Sequence, residues 1–381
     1  MITVSSADAA LKSFYLDAVT AQLDSISPFY AAIDKHSENV YGKEVKLSVV
    51  RGNYGNVAAG GEDDDLPSAN GNRYVSFTAP LKNIYGTIEI SDKALRASRS
   101  SDGAFVDLLN AEVEGLVSCA KVNFSRMLFG DGNGYIAKIT KVSGATFTVD
   151  KVNCFYVGMA IDLYSDEGAI EAGQGLTVTA VNVTASKSTV DSRSRGALIG
   201  TYIYLAGAYG NELTGLKSIF EADSLYGVSK SDESYMTPTE FVLSDTLTEA
   251  ALMEKINYLE EYYNSRPNMI LCSFATKRTI AALLTENRRQ LDMTVLQGGY
   301  SAVLFDGIPV VADRFCPNDV IYLINTDDFG IYQLCDWEWL EDEDGKILKQ
   351  IPGKAAYSAT LVKYAELICT KPCAQGVITG F

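Results

Sequence analysis

Residues 46–90 read KLSVVRGNYGNVAAGGEDDDLPSANGNRYVSFTAPLKNIYGTIEI, two strand-like arms around a tip too polar to build a core of its own. The arms are Lys46–Val50 and Tyr74–Pro80, and the tip between them is Gly, Asn and Asp. Excursions this long are uncommon in compact domains unless they are functional or disordered. Such a tip stays extended only when something outside the subunit holds it. The stretch therefore predicts a long hairpin, in a chain built to lie on its neighbours.

Working outward, the next segment is one long amphipathic helix. Ser100, Ser101 and Asp102 offer N-caps, and Phe105, Leu108, Leu109, Val113, Leu116, Val117, Ala120, Phe124, Met127 and Leu128 recur at three- and four-residue steps. Gly130-Asp131-Gly132-Asn133-Gly134 ends it as a C-cap and turn cluster. From Tyr135 to Leu205 the texture becomes six short β-rich strings separated by Gly, Asp and Ser, which predicts a small barrel or sandwich. A different texture resumes at Gly210, so this β-rich unit reads as an insertion.

Residues 246–325 alternate helix and strand. Thr246 and Glu249 read as a capping box for a helix carrying Leu252, Ile256, Leu259 and Tyr263. Strand 269–274, helix 275–286, a polar loop, and strands 308–313 and 320–325 follow, an α/β unit. Beyond Gly330 the chain reads as all β, ending in a long strand, YSATLVKYAELICT. On the N-terminal side of the hairpin, residues 1–41 read as an arm with a weakly amphipathic helix over Ala7–Leu23.

Composition narrows the function. The net charge of −16 argues against a surface that binds nucleic acid, which needs a basic stripe, although an acidic wall can still enclose it. The 7 cysteines are scattered and mostly set in apolar runs, so they read as reduced thiols and not as a disulfide framework. Met1 leads into ITVSSADAALKSFYLDAV, without the basic start and apolar run of a secretory signal. No apolar run approaches the roughly 20 residues that span a membrane. The expectation is a protein made and used in a cytoplasm.

Catalytic and metal motifs are missing. The single histidine, His36, excludes HExxH sites, and neither GxSxG nor GxxxxGK[ST] occurs. GDGNG follows a helix instead of joining strand to helix, so it is a turn and not a nucleotide loop. The acidic clusters 62–65 and 341–344 lack the alternating ligand spacing of an EF-hand. They read as solvated turns or as patches facing a neighbour's cations. No cofactor and no metal is expected. Trp337 and Trp339 alternate on one strand, so both indoles share a face as core or interface anchors.

This order of parts resembles the major capsid proteins of tailed bacteriophages with the Hong Kong 97-type fold. NTDDFGIYQL resembles that family's Gly-Asp-Phe strand, and YSATLVKYAELICTKPCAQGVITG its closing strands. The resemblance implies an α+β fold divided into N-terminal arm (1–41), E-loop (42–85), first part of the P domain (86–133) with a spine helix (101–129), β-rich insertion as a small barrel (134–209), A domain (210–325), second part of the P domain (326–364) and a closing strand of the A domain (365–381). It implies a shell subunit forming hexamers and pentamers around double-stranded DNA, assembled in a bacterial host's cytoplasm. Implied partners are copies of itself, a separate scaffolding protein, a portal and a cement protein, with no sequence-specific nucleic-acid binding and no membrane. Some members weld subunits through an E-loop lysine. Residues 47–81 contain none, so covalent cross-linking is not expected.

The expected inter-subunit contact is the acidic tip, Glu62, Asp63, Asp64 and Asp65. Its candidate partners are exposed cations, Lys121 and Arg126 on the long helix or Arg288 and Arg289 beyond the α/β helix. Phe105, Leu109, Leu116 and Phe124 are expected as the helix's core face. The competing readings are a prokaryotic nanocompartment (encapsulin-like) shell, which shares the fold, and a cytosolic α/β enzyme. The enzyme reading has texture but no catalytic constellation.

Overall fold

The computed structural model describes residues 27–51, 57, 59–61, 65, 71–93, 102–165, 170–184, 187–190, 199–287, 293–295 and 301–381. Of 102–110, 170–172, 187–190, 286–287, 293, 295 and 301 it describes the backbone alone. The helix expected over residues 7–23 lies outside the described residues.

The hairpin arms Glu44–Val50 and Tyr74–Pro80 pair antiparallel, in continuous register from Glu44↔Pro80 to Val50↔Tyr74. Side chains alternate across a strand, and Val75, Phe77 and Ala79 accordingly turn inward while their neighbours face out. The chain then enters a long sheet. Strand Lys82–Ser91 pairs with Ala356–Cys369 from Ala365↔Lys82 to Ala356↔Ser91, and Phe329–Trp339 lies on the other side of Ala356–Cys369. Asp34–His36 adds a parallel strand at that far edge.

The periodic apolar run forms one helix of 28 residues, Asp102–Phe129. It lies on the long sheet. Phe124, buried to 1%, meets Tyr30 edge-on at 5.0 Å and Trp337 at 5.8 Å. Leu116 is half-buried and sits where a Cβ at Gly86 would come within 2.6 Å of its Cδ1, so the bare backbone at Gly86 lets the helix approach. Trp337 and Trp339 are both buried in this layer.

The six β-rich strings form a closed barrel with its own core of residues such as Phe147, Ile161, Val178 and Ile203. Its two ends meet: Gly210 N–H donates to Asn133 O at 2.9 Å. Gly134 has φ +86° and lies so close to Ala208 O that a Cβ there would stand 2.8 Å away, so this junction needs glycine twice over.

The α/β part is a seven-stranded sheet in the order Thr239–Val242, Gly376–Thr379, Val320–Ile324, Met269–Cys272, Ile308–Ala312, Ser301–Phe305, Met293–Val295. Helices Glu249–Tyr263 and Phe274–Asn287 bury Leu252, Ile256, Leu259, Ile280 and Leu284 in a core shared with this sheet. Three details differ from expectation. Thr248, not Thr246, caps the first helix, its hydroxyl accepting from Ala251 N. The strand beginning at Met269 stops at Cys272, because Ser273 Oγ accepts from Thr276 N and opens the next helix at Phe274. The polar loop holds a further antiparallel pair, Met293–Val295 with Ser301–Phe305.

Candidate inter-subunit surfaces

The hairpin is fastened at its root. Val45, Phe77 and Ala79 are buried, Phe77 stacks on Tyr226 at 5.2 Å, and Thr78 N donates to Tyr226 O at 3.2 Å. At its outer end Arg51 pairs with Glu233 at 3.0 Å. Exposure is already high beside that pair, where Tyr74 opposite Val50 is 61% exposed, and reaches 97% at Val57 beyond it. Glu62, Asp63 and Asp64 lie outside the described residues. Asp65 is exposed and makes no ion pair among the described residues.

The expected basic partners fare unequally. Arg126 is not an exposed cation: it is 5% exposed and its guanidinium forks onto Glu212, Nη1 to Oε2 at 2.8 Å and Nη2 to Oε1. Burial alone would lower its pKa, but Glu212 outweighs this and raises it, so the group stays charged inside the protein. Lys121 is half-buried on the helix. Arg288 and Arg289 lie outside the described residues, as do the side chains of Phe105 and Leu109. Phe124 is core, and Leu116 packs at its margin.

Other charges are also buried. Lys363 is fully buried and donates to Gln333 Oε1 and Asp336 Oδ1, each at 2.5 Å, while Lys35 reaches Asp336 Oδ2 at 3.0 Å. Burial would raise Asp336, but Lys363 and Lys35 outweigh it and hold the carboxyl well below the usual range. Glu366 has no such cation in contact. Its Oε1 accepts from Thr214 N at 2.7 Å, and burial pushes its pKa up to about 7. The acidic turn 341–344 is satisfied locally, with Asp342 Oδ1 accepting from Lys346 N at 2.7 Å and Asp344 N at 3.1 Å.

Sequence reasoning did not find a cleft of 690 Å³ between the barrel, the end of the long helix and the seven-stranded sheet. Lys151, Lys217, Arg278 and Arg314 line it from four separate segments, with the exposed ring of Phe274 at its wall. Nothing in the sequence joins four cations spaced this far apart. Among the described residues no cluster of His, Cys, Asp and Glu is arranged to hold a metal ion. No helix among them is long and apolar enough to cross a membrane.

No protein-family model matches the chain, and no curated protein matches it in sequence. Its fold is shared nonetheless. A chain of the cyanophage A-1(L) capsid asymmetric unit matches with TM-score 0.52 and 13% identity, over 95% of this chain and 93% of that one. The chain has a phage capsid fold. Lower likenesses are to the capsid of a native GTA particle (TM-score 0.47, 12% identity, 93% of this chain and 90% of that one) and to the SrpI encapsulin of Synechococcus elongatus (0.48, 10%, 93% and 88%).

Proposed function

We propose that this chain is the major capsid protein of a tailed-phage particle, assembling as hexamers and pentamers into an icosahedral shell around double-stranded DNA. One observation carries the reading: the likeness to a phage capsid chain takes in 95% of this chain, so little is left over for another task. The mechanism is mechanical. A hairpin fastened at Val45, Phe77 and Tyr226 and exposed beyond Arg51 reaches a neighbour, and head-to-tail contacts of this kind close into rings.

In this reading 42–85 serves as the E-loop, 101–129 as the spine helix, and 134–209 as a barrel inserted between spine and A domain. The A domain comprises 210–325 with 365–381. The contact at the tip is made by Glu62, Asp63, Asp64 and Asp65. With no lysine over 47–81 it is noncovalent, so it weakens as salt screens exposed charge. A scaffolding protein, a portal and a cement protein complete the particle, which assembles in the host cytoplasm.

Electron microscopy of the purified protein, with and without a scaffolding partner, tests this. Closed shells are the expected result, and a monodisperse small oligomer at high concentration overturns it. A cargo-enclosing compartment would use the same fold, and the contents of shells from native particles, DNA or protein, separate the two.

A further inference from the structure

We propose that Asn133, at the foot of the barrel, is a self-modification site: its side chain closes onto the Gly134 nitrogen, ammonia leaves, and the joint becomes mainly isoaspartyl. The first ground is the nucleophile. Gly134 presents a backbone nitrogen with no side chain beside it, and its N–H donates to no acceptor among the described residues. The fold itself demands glycine there. Gly134 has φ +86°, and a Cβ would stand 2.8 Å from Ala208 O, so the least hindered nitrogen is fixed next to Asn133.

The second ground is the electrophile. Asn133 is exposed, and only its backbone is held: its N donates to Asp131 Oδ1 at 3.0 Å and its O accepts from Gly210 N at 2.9 Å. Its side-chain amide makes no hydrogen bond among the described residues and is free to turn onto Gly134. Nearby asparagines differ on both counts. Asn123 Nδ2 donates to Tyr156 Oη at 3.3 Å, Asn153 Nδ2 to Arg314 O at 2.9 Å and Asn211 Nδ2 to Gly207 O at 3.3 Å. They precede Phe124, Cys154 and Glu212, whose side chains crowd the attacking nitrogen. The chain's other Asn-Gly pair is Asn70–Gly71, and Asn70 lies outside the described residues.

Water is the only co-reactant. The Gly134 nitrogen gives its proton to solvent and attacks Asn133 Cγ. The Cγ–Nδ2 bond then breaks, and the amide group takes a proton and leaves as ammonia, giving a cyclic succinimide. Water opens that ring at either carbonyl. Opening at Cγ restores the ordinary backbone with an aspartyl side chain. Opening at the backbone carbonyl runs the chain through Cγ and frees an α-carboxylate, the isoaspartyl product. This product lengthens the backbone by a methylene where Gly134 approaches Ala208 most closely. It also turns the carbonyl that accepts from Gly210 N into part of a carboxylate, beside Asp131. The barrel has its own core, so it stays folded while its foot loosens.

Ageing the purified full chain in mildly alkaline buffer, followed by peptide mapping, tests this. The peptide holding Asn133 should gain the mass difference between OH and NH2 and accept label from an isoaspartyl methyltransferase. The peptides holding Asn123, Asn153 and Asn211 should stay intact. Hydrogen exchange at the Gly210 amide should quicken in step with the modification. Asn133→Gln, aged alike, should show neither change, because its longer side chain has to close a larger ring. Freshly purified Asn133→Asp carries the charge without the extra methylene and should keep slow exchange at Gly210. An unmodified Asn133, or modification confined to Asn70, overturns the proposal. Modification that leaves Gly210 exchange unchanged, or fast exchange in the fresh Asn133→Asp variant, overturns the loosening by an isoaspartyl joint.

Discussion

Arg126, near the end of the long helix, and Glu212, beyond the barrel, form a forked ion pair buried to 5% and 3% side-chain exposure. The pair clamps the segment leaving the barrel onto the helix that precedes it. Arg126 Nη1 also lies 3.5 Å from Tyr135 O, where the barrel begins. Removing one partner strands a buried charge, so Arg126→Met or Glu212→Leu should each cost about 3–5 kcal/mol. The double variant Arg126→Met/Glu212→Leu should recover most of that, because no lone charge remains. A double-mutant cycle by denaturant unfolding checks it, and additive losses would show that the pair does not act as a unit.

Phe124→Ala should cost about 3–5 kcal/mol, since it opens a cavity between Tyr30 and Trp337. Leu116→Ala should cost less, because Leu116 is half-buried at the crossing with Gly86. Equal losses at the two positions, read from chemical unfolding, would contradict this packing of the helix.

Removing residues 134–209 and joining the ends by a short Gly linker should leave a soluble, cooperatively folding subunit. The ends already lie a hydrogen bond apart, Gly210 N to Asn133 O at 2.9 Å, and the barrel has a core of its own. Circular dichroism and gel filtration report the outcome. A variant that is unfolded throughout would show that the barrel carries the stability of the rest.

Glu366 gives stability a pH dependence. Burial raises its pKa from 4.5 to about 7, so the folded state holds the proton more tightly than the unfolded state does. Its contribution is full below about pH 4.5 and is lost as pH rises through about 7, about 3 kcal/mol across that window. Glu366→Gln keeps an acceptor for Thr214 N and removes the titration. The variant should gain stability relative to wild type between pH 5 and 8, and a difference that stays flat with pH would rule out this assignment.

Much of the fold was legible where the pattern is local. Phe124 belongs to an apolar stripe repeating every three to four residues, and that stripe is the long helix. The strings 135–142, 145–149, 157–164, 175–183, 187–191 and 201–205 each correspond to a barrel strand, shifted by a few residues at their ends. Thr239–Val242 was not legible. TEFV is too short to show alternation, and its partner Gly376–Thr379 comes from the far end of the chain. Arg126 was misread as an exposed cation because Glu212, which covers it, stands 86 residues away.

The sequence by itself determined the helix, the hairpin arms, the β-rich run and the uncompensated acids of the tip. Periodicity, turn residues and charge density act over a few neighbouring positions and need no knowledge of the rest. Only the tertiary structure decided which charges are buried and paired, as Arg126 with Glu212 and Lys363 with Asp336, and which are left facing a cleft, as Lys151 and Arg278. A side chain's ionic partner is set by where distant segments pack. Burial also raises the energy of an unpaired charge far above its value in water, so the folded arrangement selects those pairs and no local pattern encodes them.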